Sequence, residues 1–174
     1  MVLKPLTIEN CPQFFTATII EWKFLLSNEL YKRIIIESLQ FLVTAERVVI
    51  YGYVIMDNHL HIIWKPTALY ALKHTQLSFM KFTAQRMKRD LENNHRDVLK
   101  QFLVASKDRT YQFWQRNALC VDLYSNEIIE QKLNYIHQNP VRARMCGSAK
   151  AYKYSSARFY EGLGDEFGFL SDFR

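Results

Sequence analysis

Three of the 174 residues are cysteine, five are glycine and four are proline. Cys11, Cys120 and Cys146 are odd in number and follow neither disulfide nor metal-ligand spacing, which argues against a disulfide scaffold and a cysteine metal site. Reduced thiols in a cytoplasmic protein are the expectation. No apolar run approaches the length of a membrane span, and the opening MVLKPLTIENCPQ lacks the layout of a signal peptide, so no membrane partner is expected. There is no internal repeat and no low-complexity linker. What remains is the composition of a globular protein, 49% hydrophobic and 23% charged, long enough to bury one core as a single domain over 1–174. Lys and Arg number 23 against 17 Asp and Glu, a net charge of +6 that suits a polyanionic partner such as nucleic acid.

Along the chain, QFFTATIIEW (Gln13–Trp22) is rich in aromatic and β-branched residues and predicts a strand. A helix follows in SNELYKRIIIESLQFLVTAE, with Ser27 as its cap and Leu30, Ile34, Leu39 and Leu42 at helical spacing. RVVIYGYVIMD and HLHIIWKP predict two strands joined as a hairpin by the turn residues Met56–His59. From Leu69 to about Asn94 the pattern is helical, with Leu72, Phe79, Met80, Thr83, Met87 and Leu91 on one face and Lys73, Lys81 and Lys88 on another. Residues 93–109 predict a loop with one short helical piece, and Asn117–Tyr124 a fourth strand. Ser125 or Asn126 caps a last helix, NEIIEQKLNYIHQN, running up to Pro140. The order β-α-β-β-α-β plus a helix predicts an α+β, ferredoxin-like (split βαβ) antiparallel sheet with helices on one face over 1–125, and a tyrosine-bearing helix with a C-terminal segment over 126–174.

Two of the five histidines stand in NHLHIIW. On a strand, His59 and His61 project from the same face, and two imidazoles side by side can chelate a metal. Imidazole ligands alone suit zinc at least as readily as other cations. A third ligand is sought in YIHQNP, where Tyr135 and Asn139 share a helical face and His137 points elsewhere. A residue before proline is biased away from helical angles, so Gln138 is held in reserve for Asn139. A divalent cation that polarises a phosphodiester would compensate for the weak nucleophilicity of a phenol, and attack on DNA phosphate would leave a covalent phosphotyrosine.

YGYVIMDNHLHIIW, QKLNYIHQNPVRARMC and YKYSSAR together resemble the single-tyrosine HUH transposases, and YIHQNPVRA in particular resembles the REP-associated tyrosine transposases. The likeness runs from FFTATIIEW to YSSARFY. It implies an enzyme that cleaves and rejoins single-stranded DNA beside imperfect hairpins through a 5′-phosphotyrosine. It further implies Tyr135 as nucleophile, His59, His61 and Asn139 as metal ligands, Mg²⁺ or Mn²⁺ as the cation, and a monomer rather than a dimer. One departure follows the shared block: the family has a glycine where Arg144 stands, a change expected to affect a turn or add a phosphate contact.

Candidates for phosphate contacts are Lys73, Lys81, Lys88, Arg142, Arg144, Lys150, Lys153 and Arg158. The competing reading is a domesticated, non-catalytic hairpin or single-strand binder whose sheet stacks bases on Phe15, Tyr51, Tyr53 and Trp64. Metal-dependent covalent attachment to DNA separates the two.

Overall fold

The computed structural model describes residues 11–67 and 71–174. Four strands, β1 (Gln13–Thr18), β2 (Val48–Ile55), β3 (His59–Pro66) and β4 (Leu119–Asp122), form one antiparallel sheet in the order β2-β3-β1-β4. β3 lies between β1 and β2, which is the split βαβ arrangement. Among the described residues five α-helices accompany the sheet: α1 (Glu29–Thr44), α2 (Leu72–Asn94), α3 (Arg96–Lys100), α4 (Asn126–Arg142) and α5 (Ala157–Tyr160). No described helix is long and apolar enough to cross a membrane.

Alternation along the strands sorts side chains between the two faces. Phe15, on β1, and Trp64, on β3, meet at a tilt with centroids 5.1 Å apart and both meet Phe79 of α2 edge-on, which identifies the face carrying Phe15, Leu60, Ile62 and Trp64 as the one beneath α1 and α2. These side chains are fully buried, each contributing about 1.5–3 kcal/mol by leaving water. The other face carries Phe14, Thr16, His59, His61 and Ile63, and α4 crosses it. The approach is close at Gly52, where an added Cβ would lie 2.3 Å from Leu133 Cδ2 and 3.2 Å from Ser156 Oγ. Here glycine is required by space. Between Ile50 and Gly52 the β2–β3 ladder slips by one residue, a bulge at Tyr51.

Buried polar contacts hold α4 and the hairpin in place. His137 of α4 bonds Ser156 Oγ at 2.9 Å, and that hydroxyl donates to the Tyr53 carbonyl and accepts from the Tyr53 N–H. A hydroxyl has one proton, already given to Tyr53, so His137 must donate from Nε2–H. Lys32 of α1, 6% exposed, reaches Asp57 in the hairpin turn at 2.8 Å and the Tyr152 hydroxyl at 3.1 Å; Tyr152 in turn donates to the Ile55 carbonyl. Burial opposes the Lys32 charge, but the bonds to Asp57 and Tyr152 outweigh it and raise its pKa.

Several boundaries differ from the sequence reading. β1 stops at Thr18, and Ile20–Trp22 turn instead as a 3₁₀ segment with Glu21 and Trp22 at φ of 54° and 56°. The cause is tertiary: Ile20 N–H is taken by the Phe113 carbonyl and Ile19 N–H by that of Asn58. Asn28, not Ser27, caps α1, its side chain accepting from Leu30 N–H at 2.9 Å, and Leu30 is exposed. The second strand is Val48–Ile55 and the fourth Leu119–Asp122, both shorter than expected. The expected helix start at Leu69 lies outside the described residues; the described helix begins at Leu72. The short helical piece within 93–109 is α3.

Ser125 caps α4, accepting from Ile128 N–H, and the helix continues through Pro140 to Arg142 rather than stopping at the proline. It closes with Arg144 N–H on the Val141 carbonyl and Met145 N–H on the Pro140 carbonyl, while Arg144 adopts a φ of 57°. This paired closure is the Schellman motif, in which glycine ordinarily takes the left-handed position. The end of α1 repeats it, with Glu46 at φ 54° and Arg47 N–H on the Leu42 carbonyl. In a chain so short of glycine, the left-handed positions of two helix ends fall on charged residues.

Candidate functional site

His59 and His61 open β3 on the face covered by α4, with ring centroids 5.0 Å apart. Each has its Nδ1 engaged: His59 faces Asn58 Oδ1 at 2.7 Å, and His61 faces Thr16 Oγ1 across the β1–β3 ladder at 2.7 Å. Asn58 uses its amide nitrogen to donate to the Trp22 carbonyl, so its oxygen is the atom facing His59, and His59 Nδ1 carries the proton. The Thr16 hydroxyl can accept from His61 in the same way. Nε2 is then the free nitrogen on both rings, backed by an outer partner as metal-ligating histidines commonly are.

Burial keeps both rings neutral. The His59 pKa is lowered by desolvation, and that of His61 falls to about 3 through desolvation first, then the neighbouring His59 and Lys132. Neutral imidazole is the form that accepts a cation.

Tyr135 comes from the middle of α4. Its ring meets the His61 ring at 5.6 Å and the Phe14 ring at 6.2 Å, both edge-on, yet it is 42% exposed and so reachable by a large substrate. Phe14 stacks on His61 at 5.1 Å and forms the floor. Two cations flank the phenol: Arg142 Cζ lies 5.3 Å and Lys132 Nζ 5.9 Å from its centroid, and Lys132 is also 4.9 Å from Phe14. Asn139 is half-buried one helical turn beyond Tyr135, and Gln138 is exposed. Because α4 runs on to Arg142, Asn139 belongs to regular helix and not to a frayed end. Among the described residues, no group of three or more His, Cys, Asp or Glu side chains could hold a metal. A cation at the histidine pair would therefore need an amide or hydroxyl oxygen, or a substrate phosphate, to complete its shell. The chemistry of the pair suits such a cation, since neutral imidazole nitrogens donate to it, and Asn139 stands on α4 one turn beyond Tyr135.

The basic residues divide between the two faces. Arg142 is at the site, and the exposed Arg144, Lys150 and Lys153 lie in and after the end of α4, with Arg158 half-buried on α5. Lys73, Lys81 and Lys88 instead line a groove of about 1180 Å³ between α2 and residues 108–118, together with Arg109 and Arg116. Gln13, Phe15 and Cys120 line it too, which puts it on the sheet face away from Tyr135. Lys88 is partly neutralised by Glu92 at 3.0 Å. Sheet stacking of bases is corrected: Phe15, Tyr53 and Trp64 are core residues with no more than 1% exposure, and only Tyr51 is half-buried.

Sequence reasoning missed Lys132, Thr16, Asn58 and Trp22. Lys132 had a signal, standing three residues before Tyr135 on the same helix. Thr16 had none, because only the strand register puts it opposite His61.

No protein-family model matches this chain, and no curated protein matches it. Among solved structures, a REP-associated tyrosine transposase bound to a REP hairpin is similar over 99% of this chain and 94% of its own, at 16% identity and a TM-score of 0.66. At that identity the likeness speaks to the fold. A Deinococcus radiodurans protein described as a transposase overlaps 79% of this chain and 97% of its own at 12% identity, with a TM-score of 0.47, too slight to argue from.

Proposed function

We propose that this chain is a metal-dependent single-stranded DNA endonuclease and transposase of the HUH single-tyrosine type, acting beside hairpins, and of the REP-associated branch. The observation that carries the reading is the meeting of an exposed phenol, Tyr135, with the paired imidazoles of His59 and His61, whose Nδ1 atoms are both engaged. The shared fold with a hairpin-bound tyrosine transposase supports it, as do the motifs in which these residues stand.

In this reading His59 and His61, through Nε2, and Asn139, with Gln138 as the substitute, would hold one Mg²⁺ or Mn²⁺. The bound cation would polarise the scissile phosphodiester and offset charge building on its oxygens. Tyr135 Oη attacks the phosphorus, the bond to the 3′ oxygen breaks, and the strand's 5′ phosphate stays on the enzyme as a phosphotyrosine while the 3′ hydroxyl leaves. Rejoining is the reverse, with a 3′ hydroxyl displacing the tyrosine. Lys132 and Arg142, on either side of the phenol, supply positive charge for the phosphate that must approach it.

The test incubates wild type and Tyr135→Phe with single-stranded DNA from the flanks of the gene, hairpins included, in Mn²⁺ or in EDTA. An adduct that survives SDS and needs both Tyr135 and metal is the expected result. Tight hairpin binding with no adduct would replace the nuclease reading by a non-catalytic binding protein.

A further inference from the structure

Trp22 is 56% exposed and Phe24 68% exposed, on a turn that the proposed chemistry does not use. An indole in that setting would ordinarily be turned inward, because large apolar surface left in water is unfavourable. The backbone here does the opposite at a cost. Glu21 and Trp22 are consecutive non-glycine residues at positive φ, a conformation that persists only when the surroundings impose it. Those surroundings are identifiable: Ile20 N–H bonds the Phe113 carbonyl, Ile19 N–H the Asn58 carbonyl, and Leu26 N–H the Asp57 carbonyl. The turn is thereby tied to the hairpin loop that carries His59.

The position of the indole follows. Its ring meets the His59 ring edge-on at 5.7 Å, and its carbonyl accepts from the same Asn58 side chain that orients His59. Trp22 therefore borders the histidine–tyrosine site beside His59. Glu21 is paired with Lys23, so its carboxylate is compensated and does not oppose an anion.

Resting on the reading of this site as one for single-stranded DNA, we infer that Trp22 is a stacking platform for a nucleobase of the strand whose phosphate lies at His59 and His61. An exposed indole beside the His59 imidazole, at a site whose phenol is flanked by the cations Lys132 and Arg142, suits a flat base attached to an anionic backbone.

The protein carries its own probe. Of its three tryptophans, Trp64 is 0% and Trp114 5% exposed, so quenching of the exposed indole reports Trp22. The full chain is titrated with oligo(dT) of twelve nucleotides and with an abasic sugar-phosphate strand of equal length, for wild type, Trp22→Phe and Trp22→Ala. Expected are quenching by oligo(dT) but not by the abasic strand, no quenching in Trp22→Phe, and binding by anisotropy weakened roughly tenfold to a hundredfold in Trp22→Ala with Phe recovering most of it. Equal quenching by both strands, or wild-type affinity in Trp22→Ala, would overturn the inference. The two readings fail separately. An adduct at Tyr135 with unchanged DNA dependence in Trp22→Ala removes the platform and keeps the nuclease. Base-specific quenching without any adduct keeps the platform and removes the nuclease.

Discussion

Along β3, Leu60, Ile62 and Trp64 point toward α1 and α2 and are fully buried, while His59 and His61, at the alternate positions, face α4. One face is a dry apolar layer closed by Phe15 and Phe79; the other holds a polar pair under a helix that leaves its tyrosine 42% exposed. A single strand thus serves stability with one set of residues and, under the proposed function, chemistry with the other. The rigidity of the first set is what fixes the spacing of the second.

Substitutions on the two faces should separate stability from activity. Tyr135→Phe is expected to remove the SDS-resistant DNA adduct entirely while leaving the unfolding free energy within about 0.5 kcal/mol of wild type, because the ring and its contacts remain. Urea denaturation and the adduct gel together check this. On the opposite face, Ile62→Ala should cost about 2–5 kcal/mol in the same denaturation experiment, and whatever fraction stays folded should keep its chemistry.

Thr16→Val tests the outer partner of His61. Isosteric loss of that hydroxyl should lower metal-dependent cleavage, or the affinity for Mn²⁺, by roughly tenfold to a hundredfold. Stability should change by about 1 kcal/mol or less. A variant with unchanged metal dependence would show that the Thr16–His61 contact does not tune a ligand. Gly52→Ala couples the two faces: its Cβ would meet Leu133 Cδ2 at 2.3 Å and push α4 away from the sheet. A stability loss of about 1–2 kcal/mol, with a fall in adduct formation larger than that of Ile62→Ala, is expected if Tyr135 depends on helix placement. Smallest of all, Arg144→Gly should raise stability by up to about 1 kcal/mol, because a glycine relieves the left-handed strain at the end of α4. Its measurement is the thermal midpoint; a simultaneous loss of DNA affinity would assign the arginine a phosphate contact.

The legible part of this molecule was the part governed by short-range geometry. That His59 and His61 share a face follows from the two-residue period of a strand, and that Tyr135 and Asn139 share a stripe follows from the helical period. The hairpin at Met56–His59 and the cap of α4 at Ser125 were readable for the same reason, as were the elements from which the antiparallel α+β sheet was expected. The ends of elements were less so. Trp22 read as strand because aromatic and β-branched residues surround it, but the Ile20 and Ile19 N–H groups donate to the carbonyls of Phe113 and Asn58, distant in sequence, and β1 ends at Thr18.

From the sequence alone came the composition, the order of elements, and the residue types presented on each local face. Only the tertiary structure decided that α4 crosses the face carrying the histidines, that Thr16 stands opposite His61, and that the α2 lysines lie on the other side of the sheet. It likewise turned Phe15, Tyr53 and Trp64 inward and Trp22 outward. Strand register and helix docking depend on contacts between residues far apart along the chain, each made at a cost in loop-closure entropy that no local pattern encodes.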